Sequence, residues 1–347
     1  MWRRYAFWSK KGGRPKEIWD FKDRSFVMTK KLKFIGKAVL FLLAGAAALV
    51  LLVIVGLNIA KYAIYSDYYS IKTNICKNPG LGDGFVCQGI AADEADGVIL
   101  VSGYMKDGSA SRIYVTNTDD ESYYVQLEKG GQSYTGHAGG IAVTAGNAYV
   151  ASANKVYTLP LADILSANEG EFIDMGEGTG VNNSASFIYT DDTHLYVGEF
   201  HDGGKYTIEG HENKTAEGTH YAICSKYDIN DLTAPVAVYS IRNKVQGIAF
   251  SADGTVVMST SYGLSDSYYY VYNVNDATDA EKTLDGAPVY YLDSLIRKVK
   301  APAMAEGVDI YNGGYITLTE SASDKYIFGK LFGATKIVSL DLSGAND

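Results

Sequence analysis

The chain has 347 residues, of which 47% are hydrophobic and 20% charged, a composition that excludes a largely disordered protein. The net charge of −9 is unevenly distributed: residues 1–37 contain twelve Lys or Arg and three acidic residues, whereas the rest of the chain contains 19 basic and 37 acidic residues. Because nucleic acid is bound through basic surfaces, this acidic part excludes a nucleic-acid partner.

The first predicted element is a membrane-spanning helix. Ala38 to Leu57 is an unbroken apolar run of 20 residues, and such a helix is about 30 Å long, close to the thickness of the hydrocarbon core of a bilayer. A cleaved signal peptide is the alternative, but its apolar core is usually about 7 to 15 residues and ends at a cleavage site of small residues. Here the small residues lie in the middle of the run, which favours an uncleaved signal anchor.

Basic residues on one side of the apolar run predict its orientation, because positively charged flanks stay in the cytoplasm. We therefore predict a single-pass type II protein of the cell membrane. Its cytoplasmic tail covers residues 1–37, its anchor residues 38–58 and its extracellular domain residues 62–347. Met28 also resembles the usual start of a signal anchor, and translation from Met1 or from Met28 gives the same topology.

Three cysteines follow the anchor. Cys76 and Cys87 enclose a glycine-rich loop of ten residues, and in an exported domain such a pair predicts a disulfide. Cys224 lies in a strand-like stretch and is expected to be a buried thiol. No Cys/His spacing in the sequence is typical of a metal site.

A similar sequence motif occurs five times after residue 85. In each copy a polar or small residue precedes a turn residue and a short apolar strand. The five copies are Gln88-Gly89-Ile90-Ala91, Gly139-Gly140-Ile141-Ala142, Ala185-Ser186-Phe187-Ile188, Gln246-Gly247-Ile248-Ala249 and Glu306-Gly307-Val308-Asp309. Their spacings of 51, 46, 61 and 60 residues are typical of four-stranded β-propeller blades. We predict an all-β, five-bladed propeller, with a six-bladed ring as the alternative because the two longest spacings leave room for an extra strand pair.

The outer strands of the blades follow from alternation and turn residues. Fourth strands are predicted at 123–127, 172–175, 236–241 and 289–292. The fifth unit ends after its third strand. Because a propeller closes when one terminus completes the blade begun by the other, we expect the segment 64–75 to complete it.

Several of these segments carry a family resemblance. They are Phe85–Ala91, Val101–Met105, Tyr134–Ile141, Val245–Phe250 and Ser259–Gly263. Together they resemble secreted or membrane-anchored β-propeller proteins of Gram-positive bacteria over most of residues 85–320, and the resemblance implies fold and location without an activity. More remotely, the layout is similar to YVTN, gluconolactonase and strictosidine-synthase propellers, but no catalytic motif of that group aligns here.

Polar residues at the blade ends define the candidate site. Residues that enter first strands and residues that leave second strands lie on the same face of a propeller, around one mouth of its channel. The predicted ligand-binding residues are Gln88, Tyr104, His137, Asn183, Glu199, Gln246, Tyr262, Glu306 and Glu320. They suit a sugar, a peptide or Ca²⁺, which takes oxygen ligands; the alternative is a water-filled mouth whose side chains satisfy backbone groups.

Two long loops fall on the same face, His201 to His220 and Ser321 to Thr335. The first contains three of the five histidines. A metal-binding lid is one interpretation, but the histidine spacings match no helix face, and a mobile, solvated loop is favoured.

Three functions remain open on the sequence. The leading hypothesis is a binding module for an envelope protein, peptide or glycan. The second is a Ca²⁺-dependent hydrolase or lyase with Glu306, Glu199 and His137 at its site. The third is a structural scaffold of a membrane complex. The sequence has neither a Gly-x-Ser-x-Gly nucleophile motif nor a phosphate-binding glycine loop.

Overall fold

A computed structural model describes residues 21–144, 146–332 and 334–342. The chain forms two compact units, Met1–Leu57 and Asn58–Asp347. The first unit contains most of helix α1, Phe21–Ile64. Within α1, Lys31–Ile64 is long and apolar enough to cross a membrane, and it includes the predicted apolar run. Residues 1–20 of the predicted cytoplasmic tail lie outside the described residues.

The second unit begins with a short helix, α2 (Ser66–Ile71), and a strand, β1 (Lys72–Lys77). The other strands are β2 (Phe85–Asp93), β3 (Val98–Met105), β4 (Arg112–Thr116), β5 (Ser122–Lys129), β6 (Gln132–Ser133), β7 (Gly140–Thr144), β8 (Asn147–Ser152), β9 (Lys155–Pro160), β10 (Phe172–Asp174), β11 (Thr179–Gly180), β12 (Phe187–Thr190), β13 (His194–Gly198), β14 (Asn213–Thr215), β15 (Gly218–His220), β16 (Ala222–Asp228), β17 (Ala237–Ile241), β18 (Val245–Phe250), β19 (Thr255–Thr260), β20 (Ser267–Asn273), β21 (Thr278–Leu284), β22 (Ala287–Tyr291), β23 (Arg297–Ala301), β24 (Ala305–Tyr311), β25 (Gly314–Thr319) and β26 (Lys336–Leu340). A third helix, α3 (Leu161–Ser166), and two 3₁₀ turns, Val274–Asp276 and Gly329–Phe332, complete the elements.

These strands form five blades, each of which begins with one copy of the repeated sequence motif. From the axis outward they are β2-β3-β4-β5 (blade I), β7-β8-β9-β11 (blade II), β12-β13-β16-β17 (blade III), β18-β19-β20-β23 (blade IV) and β24-β25-β26-β1 (blade V). The inner strand of each blade packs against the inner strand of the next, and β24 packs against β2. The ring is therefore closed with five blades, as predicted, and the six-bladed alternative is wrong.

Blade V is closed by the segment that follows α1. Strand β1 runs antiparallel to β26, with Lys72 opposite Leu340 and Lys77 opposite Lys336. The expected closing segment, 64–75, is thus a strand only from residue 72. Its first part is α2, where the ring of Tyr68 lies parallel to that of Tyr269, with 6.4 Å between centroids.

Two predicted fourth strands join a different blade from the one expected. Strand β10, predicted for blade II, runs parallel to β5 at the edge of blade I. Strand β22, predicted for blade IV, runs parallel to β17 in blade III. In each case the chain crosses back to the preceding blade, covers its outer edge and then returns to supply the true fourth strand, β11 or β23. The other two predicted fourth strands, in blades I and III, are confirmed as β5 and β17.

The predicted disulfide is not formed, because Cys76 and Cys87 are free buried thiols. Cys76 lies on the outermost strand of blade V and Cys87 on the innermost strand of blade I. The Cys87 sulfur is bound elsewhere: it accepts from Asn78 Nδ2 at 3.2 Å and donates to the Thr319 carbonyl at 3.4 Å. Cys224 is a buried thiol, as expected.

The repeated turn residue lies where neighbouring inner strands come closest. A Cβ added at Gly89 would lie 2.5 Å from the backbone nitrogen of Ile141, and one at Gly247 would lie 2.6 Å from that of Val308. Gly140 and Gly307 are equally confined, and Ser186 occupies the fifth position. A small residue therefore recurs at the second position of the motif, because the inner strands approach one another around the axis too closely for a larger side chain at most of these positions.

Candidate functional site

A polar cavity of about 520 Å³ opens at the end of the propeller where first strands begin and second strands end. The five residues that precede the repeated turn position all line it: Gln88, Gly139, Ala185, Gln246 and Glu306. The inner strands supply these groups because each enters the ring from the same end. We call this space the central cavity.

Seven of the nine sequence-predicted site residues line the central cavity. They are Gln88, Tyr104, His137, Gln246, Tyr262, Glu306 and Glu320. Asn183 and Glu199 do not line it. Asn183 shapes the turn before β12, because its Nδ2 donates to the Val197 carbonyl at 2.8 Å and its Oδ1 accepts from Ala185 N at 2.9 Å.

Glu199 belongs to a separate buried pair. Its Oε1 lies 2.8 Å from His211 Nδ1 and accepts from Ile223 N at 3.0 Å. This pair fixes the loop after β13 to β16. The structure therefore does not bring Glu199 together with Glu306 and His137, which line the central cavity.

Two carboxyl groups, Glu306 and Glu320, form the polar centre of the cavity. Glu306 is 2% exposed, and burial together with the neighbouring Glu320 holds the pKa of its carboxyl well above the usual range. Burial likewise raises the pKa of Glu320 to about 7, although Tyr326, Lys325 and Gln88 oppose the shift. Burial therefore favours the protonated form of both carboxyl groups.

Hydrogen bonds fix Glu320 but not Glu306. Glu320 Oε2 accepts from Gln88 Nε2 at 3.0 Å and from the Tyr326 hydroxyl at 3.2 Å. No described residue hydrogen-bonds the carboxyl group of Glu306. A protonated carboxyl group can donate one hydrogen bond and accept others. In that form Glu306 can both donate a hydrogen bond to a ligand in the cavity and accept one from it.

Aromatic rings and a lysine form one wall. The rings of Tyr104 and His137 pack together, with 4.5 Å between centroids. Lys325 Nζ lies 4.5 Å from the centroid of Tyr104 and bonds the Tyr104 hydroxyl. Burial and the Lys325 charge lower the pKa of His137.

The opposite wall is also aromatic. Phe200 and Tyr262 stack at 6.3 Å between centroids, and Tyr206 beside them is 63% exposed. Such partly exposed rings offer flat apolar faces next to polar groups.

The lining charges nearly cancel. Lys205 and Lys325 are the lining cations, and Asp202 with the partly ionised Glu320 supplies the lining anionic charge. A cavity with this balance favours a ligand without a strong net charge.

The two long loops contribute residues that the sequence had not singled out. Lys205 and Tyr206 come from the first loop, and Lys325 and Tyr326 from the second. The only sequence signal for them was the length of the loops and their position on this face.

The histidines of the first loop are packed, not solvated. His201, His211 and His220 are all buried, and β14 and β15 pair as a hairpin within this loop. The favoured interpretation of a solvated loop is therefore wrong for these residues.

A metal site receives no support from the described ranges. Within residues 21–144, 146–332 and 334–342, no three His, Cys, Asp or Glu residues are grouped as metal ligands. The predicted Ca²⁺ would need about six to eight oxygen ligands, and it stays a prediction.

A larger cavity of about 790 Å³ lies at the other end of the propeller. Burial raises the pKa of Asp309 there to about 7. Its Oδ2 already accepts a hydrogen bond from Ala92 N at 2.7 Å. This side chain therefore helps to hold the backbone of β2 in place.

Comparisons with known proteins give only distant structural likenesses. No family model matches the chain, and no curated protein matches it by sequence. Similar solved structures include a PQQ-bound aldose sugar dehydrogenase from Streptomyces coelicolor, at 15% identity and TM-score 0.43, covering 72% of this chain and 77% of that one.

Two other propellers show the same level of likeness. A gluconolactonase from Xanthomonas campestris has 11% identity and TM-score 0.35, covering 76% of this chain and 78% of that one. A β-xylosidase/α-arabinofuranosidase from a compost metagenome has 13% identity and TM-score 0.43, covering 80% and 98%. These values are too low to carry an argument about activity, and the resemblance to Gram-positive anchored propellers stays a prediction.

Proposed function

We propose that the protein is a membrane-anchored carbohydrate-binding module whose propeller takes a neutral, hydroxyl-rich ligand in the central cavity. The observation that carries this proposal is the carboxyl group of Glu306, which lines the cavity and has no hydrogen-bond partner among the described residues. Its pKa is raised, and a ligand that hydrogen-bonds the protonated group gains affinity. A sugar hydroxyl both donates and accepts, and it matches a protonated carboxyl group in both capacities.

The rest of the lining supports a sugar over a basic or acidic peptide. Gln88 and Gln246 add amide donors and acceptors, and Tyr262 adds a partly exposed ring against which the C–H face of a sugar packs. The near balance of Lys205, Lys325, Asp202 and Glu320 gives a charged peptide no electrostatic advantage.

The anchor gives the location in this proposal. The apolar part of α1 spans the cell membrane, the basic residues before it stay in the cytoplasm, and the propeller lies outside, where envelope glycans are accessible. Support comes from the length of the apolar run and from the charge asymmetry of the sequence.

A glycan array tests the proposal. The full chain, labelled and held in a detergent without a sugar head group, is applied as wild type, as the double variant Gln88→Ala/Gln246→Ala and as Gln132→Ala. Gln132 is an exposed residue of β6 and is the matched control. We expect wild type and control to bind a set of neutral glycans and the double variant to lose at least about tenfold in affinity, since each lost amide hydrogen bond removes about 1 kcal/mol. Absence of wild-type binding, or full binding by the double variant, contradicts the proposal.

One observation favours a second candidate, hydrolysis or elimination at a glycosidic bond. Glu306 and Glu320 are neighbouring carboxyl groups whose pKa values are both raised, and a general acid for glycosidic cleavage requires a raised pKa. Mass spectrometry of the bound oligosaccharide after prolonged incubation separates the two functions. If the protein only binds the sugar, the oligosaccharide stays intact. If wild type cleaves it and Glu306→Gln does not, the protein is an enzyme and the binding proposal is contradicted.

The scaffold hypothesis is tested by the same cavity. If the protein only holds a complex together, joint substitution of Gln88, Gln246 and Glu306 leaves its cellular role intact. The binding proposal predicts that this triple variant behaves like a deletion.

A further inference from the structure

A second cavity of about 460 Å³ adjoins the central cavity and shares Ser261 and Tyr262 with it. Its other walls come from the β14–β15 hairpin, from Arg242 to Lys244 in the turn before β18, and from the end of β19, the loop after it and β20. We call it the side cavity. Because Ser261 and Tyr262 line both spaces, the two cavities are neighbours on either side of these residues.

His220 is the group in the side cavity that indicates a ligand. It is 4% exposed, and its Nδ1 lies 3.4 Å from Ser240 Oγ. Its Nε2 is buried and has no hydrogen-bond partner. The nearest carboxylate, Glu217, is 3.9 Å away, beyond hydrogen-bond distance.

Glu217 is already occupied by other groups. Its Oε2 lies 2.6 Å from a guanidinium nitrogen of Arg242 and accepts from the Tyr272 hydroxyl at 2.9 Å. Glu217 and Arg242 therefore neutralise each other, and neither competes for His220.

The state of His220 defines the ligand group it would accept. Burial and the charge of Arg242 lower its pKa to about 4, so the imidazole is neutral. With its proton on Nδ1, toward Ser240, the ring presents Nε2 as an acceptor. A hydroxyl donor satisfies this atom, whereas another acceptor or a metal ion beside Arg242 does not.

We propose that the carbohydrate is an oligomer of at least two units, with one unit in the central cavity and the next in the side cavity, donating a hydroxyl hydrogen bond to His220. This inference rests on the proposed function. Tyr262, 48% exposed, is the wall that both units contact. Lys244, whose Nζ lies 5.2 Å from the Tyr262 ring centroid, supplies a donor to the second unit.

Chain length is the variable that tests this inference. The neutral oligosaccharide with the strongest array signal is titrated calorimetrically into the full chain, together with its one-unit and two-unit fragments. We expect affinity to rise at least about tenfold from one unit to two, because a second set of hydrogen bonds forms without a second loss of translational freedom.

Two variants assign the gain to the side cavity. His220→Ala and, independently, Lys244→Ala are expected to remove most of the gain from the second unit and to leave one-unit affinity within about twofold, a difference well below that of one hydrogen bond. His194→Ala, a partly exposed histidine outside both cavities, is the matched control and keeps the gain. Thermal melts of each variant show whether a loss of binding is due to unfolding. If His220→Ala does not fold, the result for Lys244→Ala decides the test.

The outcomes separate this inference from the proposed function. Array binding with equal affinity for one, two and three units overturns the oligomer inference alone. Equal loss of one-unit and two-unit binding in both variants overturns it too, because the effect would then act through the central cavity. An array without any wild-type signal overturns the proposed function and this inference with it.

Discussion

The paired carboxyl groups of Glu306 and Glu320 make the stability of the protein depend on pH. A carboxyl group whose pKa is raised by folding binds more protons in the folded state, so its protonated form stabilises the fold below the unfolded pKa. That stability is lost as the pH rises toward the folded pKa. For Glu320 the loss extends from about pH 4.3 to about pH 7. Glu306, whose pKa is also raised, contributes a loss in the same direction.

The histidines act in the opposite direction. Burial lowers the pKa of His137 and lowers that of His220 to about 4, so their contribution to stability is lost as the pH falls below about 6.5. The carboxyl effect is therefore best measured from pH 6.5 to pH 8, where at most about half of the histidine charge of the unfolded state remains.

Glutamine in place of glutamate tests the carboxyl effect. Glu306→Gln keeps the shape of the protonated group and cannot ionise. We expect the wild-type melting temperature to fall from pH 6.5 to pH 8, and Glu306→Gln to reduce the fall and melt higher at pH 8, by about 2 to 4 °C for each kcal/mol gained. Asp309→Asn is the control for the remaining slope, because Asp309 also has a raised pKa. A variant with the wild-type slope and a lower melting temperature at pH 8 would show that Glu306 is ionised in the folded protein.

At the level of elements, the glycine positions of the inner strands define the radius of the ring. Gly247→Ala would place its Cβ 2.6 Å from Val308 N and 2.8 Å from Gly307 Cα, and backbone cannot move aside as a flexible side chain can. We expect a loss of about 1 to 3 kcal/mol in the free energy of unfolding, measured by denaturant titration. Gly180→Ala, a strand glycine with open space around it, is expected to change stability by less than about 0.5 kcal/mol. Equal effects of the two changes would contradict the close approach of the inner strands.

Closure of blade V by β1 gives a second prediction. A fragment beginning at residue 78 lacks α2 and β1 and exposes the edge of β26, whereas a fragment beginning at residue 62 keeps both. We expect the shorter fragment to melt at a lower temperature and to associate through its open edge, as seen by circular dichroism and gel filtration. Two monomeric fragments with the same melting temperature would show that β1 is dispensable for closure.

Secondary-structure elements were predictable where the sequence signal is local. The predictions failed where an assignment depends on contacts between distant parts of the chain. The five inner strands and their glycines follow from the repeat, and five of the residues that line the central cavity follow from the position before each turn residue. Strands β10 and β22 were found as strands but assigned to the wrong blade, because alternation identifies a strand and not its partner.

The same limit explains the candidate site. Glu199 has the sequence position of a site residue but pairs with His211, a contact between residues 12 apart that no periodic pattern encodes. The cysteine pair failed for a related reason: proximity in sequence predicted a bond, while Cys76 and Cys87 belong to opposite edges of different blades.

On the scale of the whole molecule, the anchor predicts which parts an external protease can reach. Intact cells that express the chain with a tag at each end are treated with protease. We expect the C-terminal tag to be lost and the N-terminal tag to be protected until the membrane is dissolved, because positively charged flanks stay inside. Loss of the N-terminal tag first would reverse the topology. Release into the medium, without added protease, of a propeller that keeps only its C-terminal tag would favour a cleaved signal.

The central claim is that the mouth of the propeller binds a neutral sugar, and a crystal structure of the protein with the array-selected oligosaccharide tests it most directly. The account predicts a sugar ring in the central cavity with a hydroxyl within hydrogen-bond distance of the Glu306 carboxyl group, and a further ring beyond Tyr262. A sugar bound on the outer strands, or in the cavity at the Asp309 end while the central cavity holds only water, would contradict it.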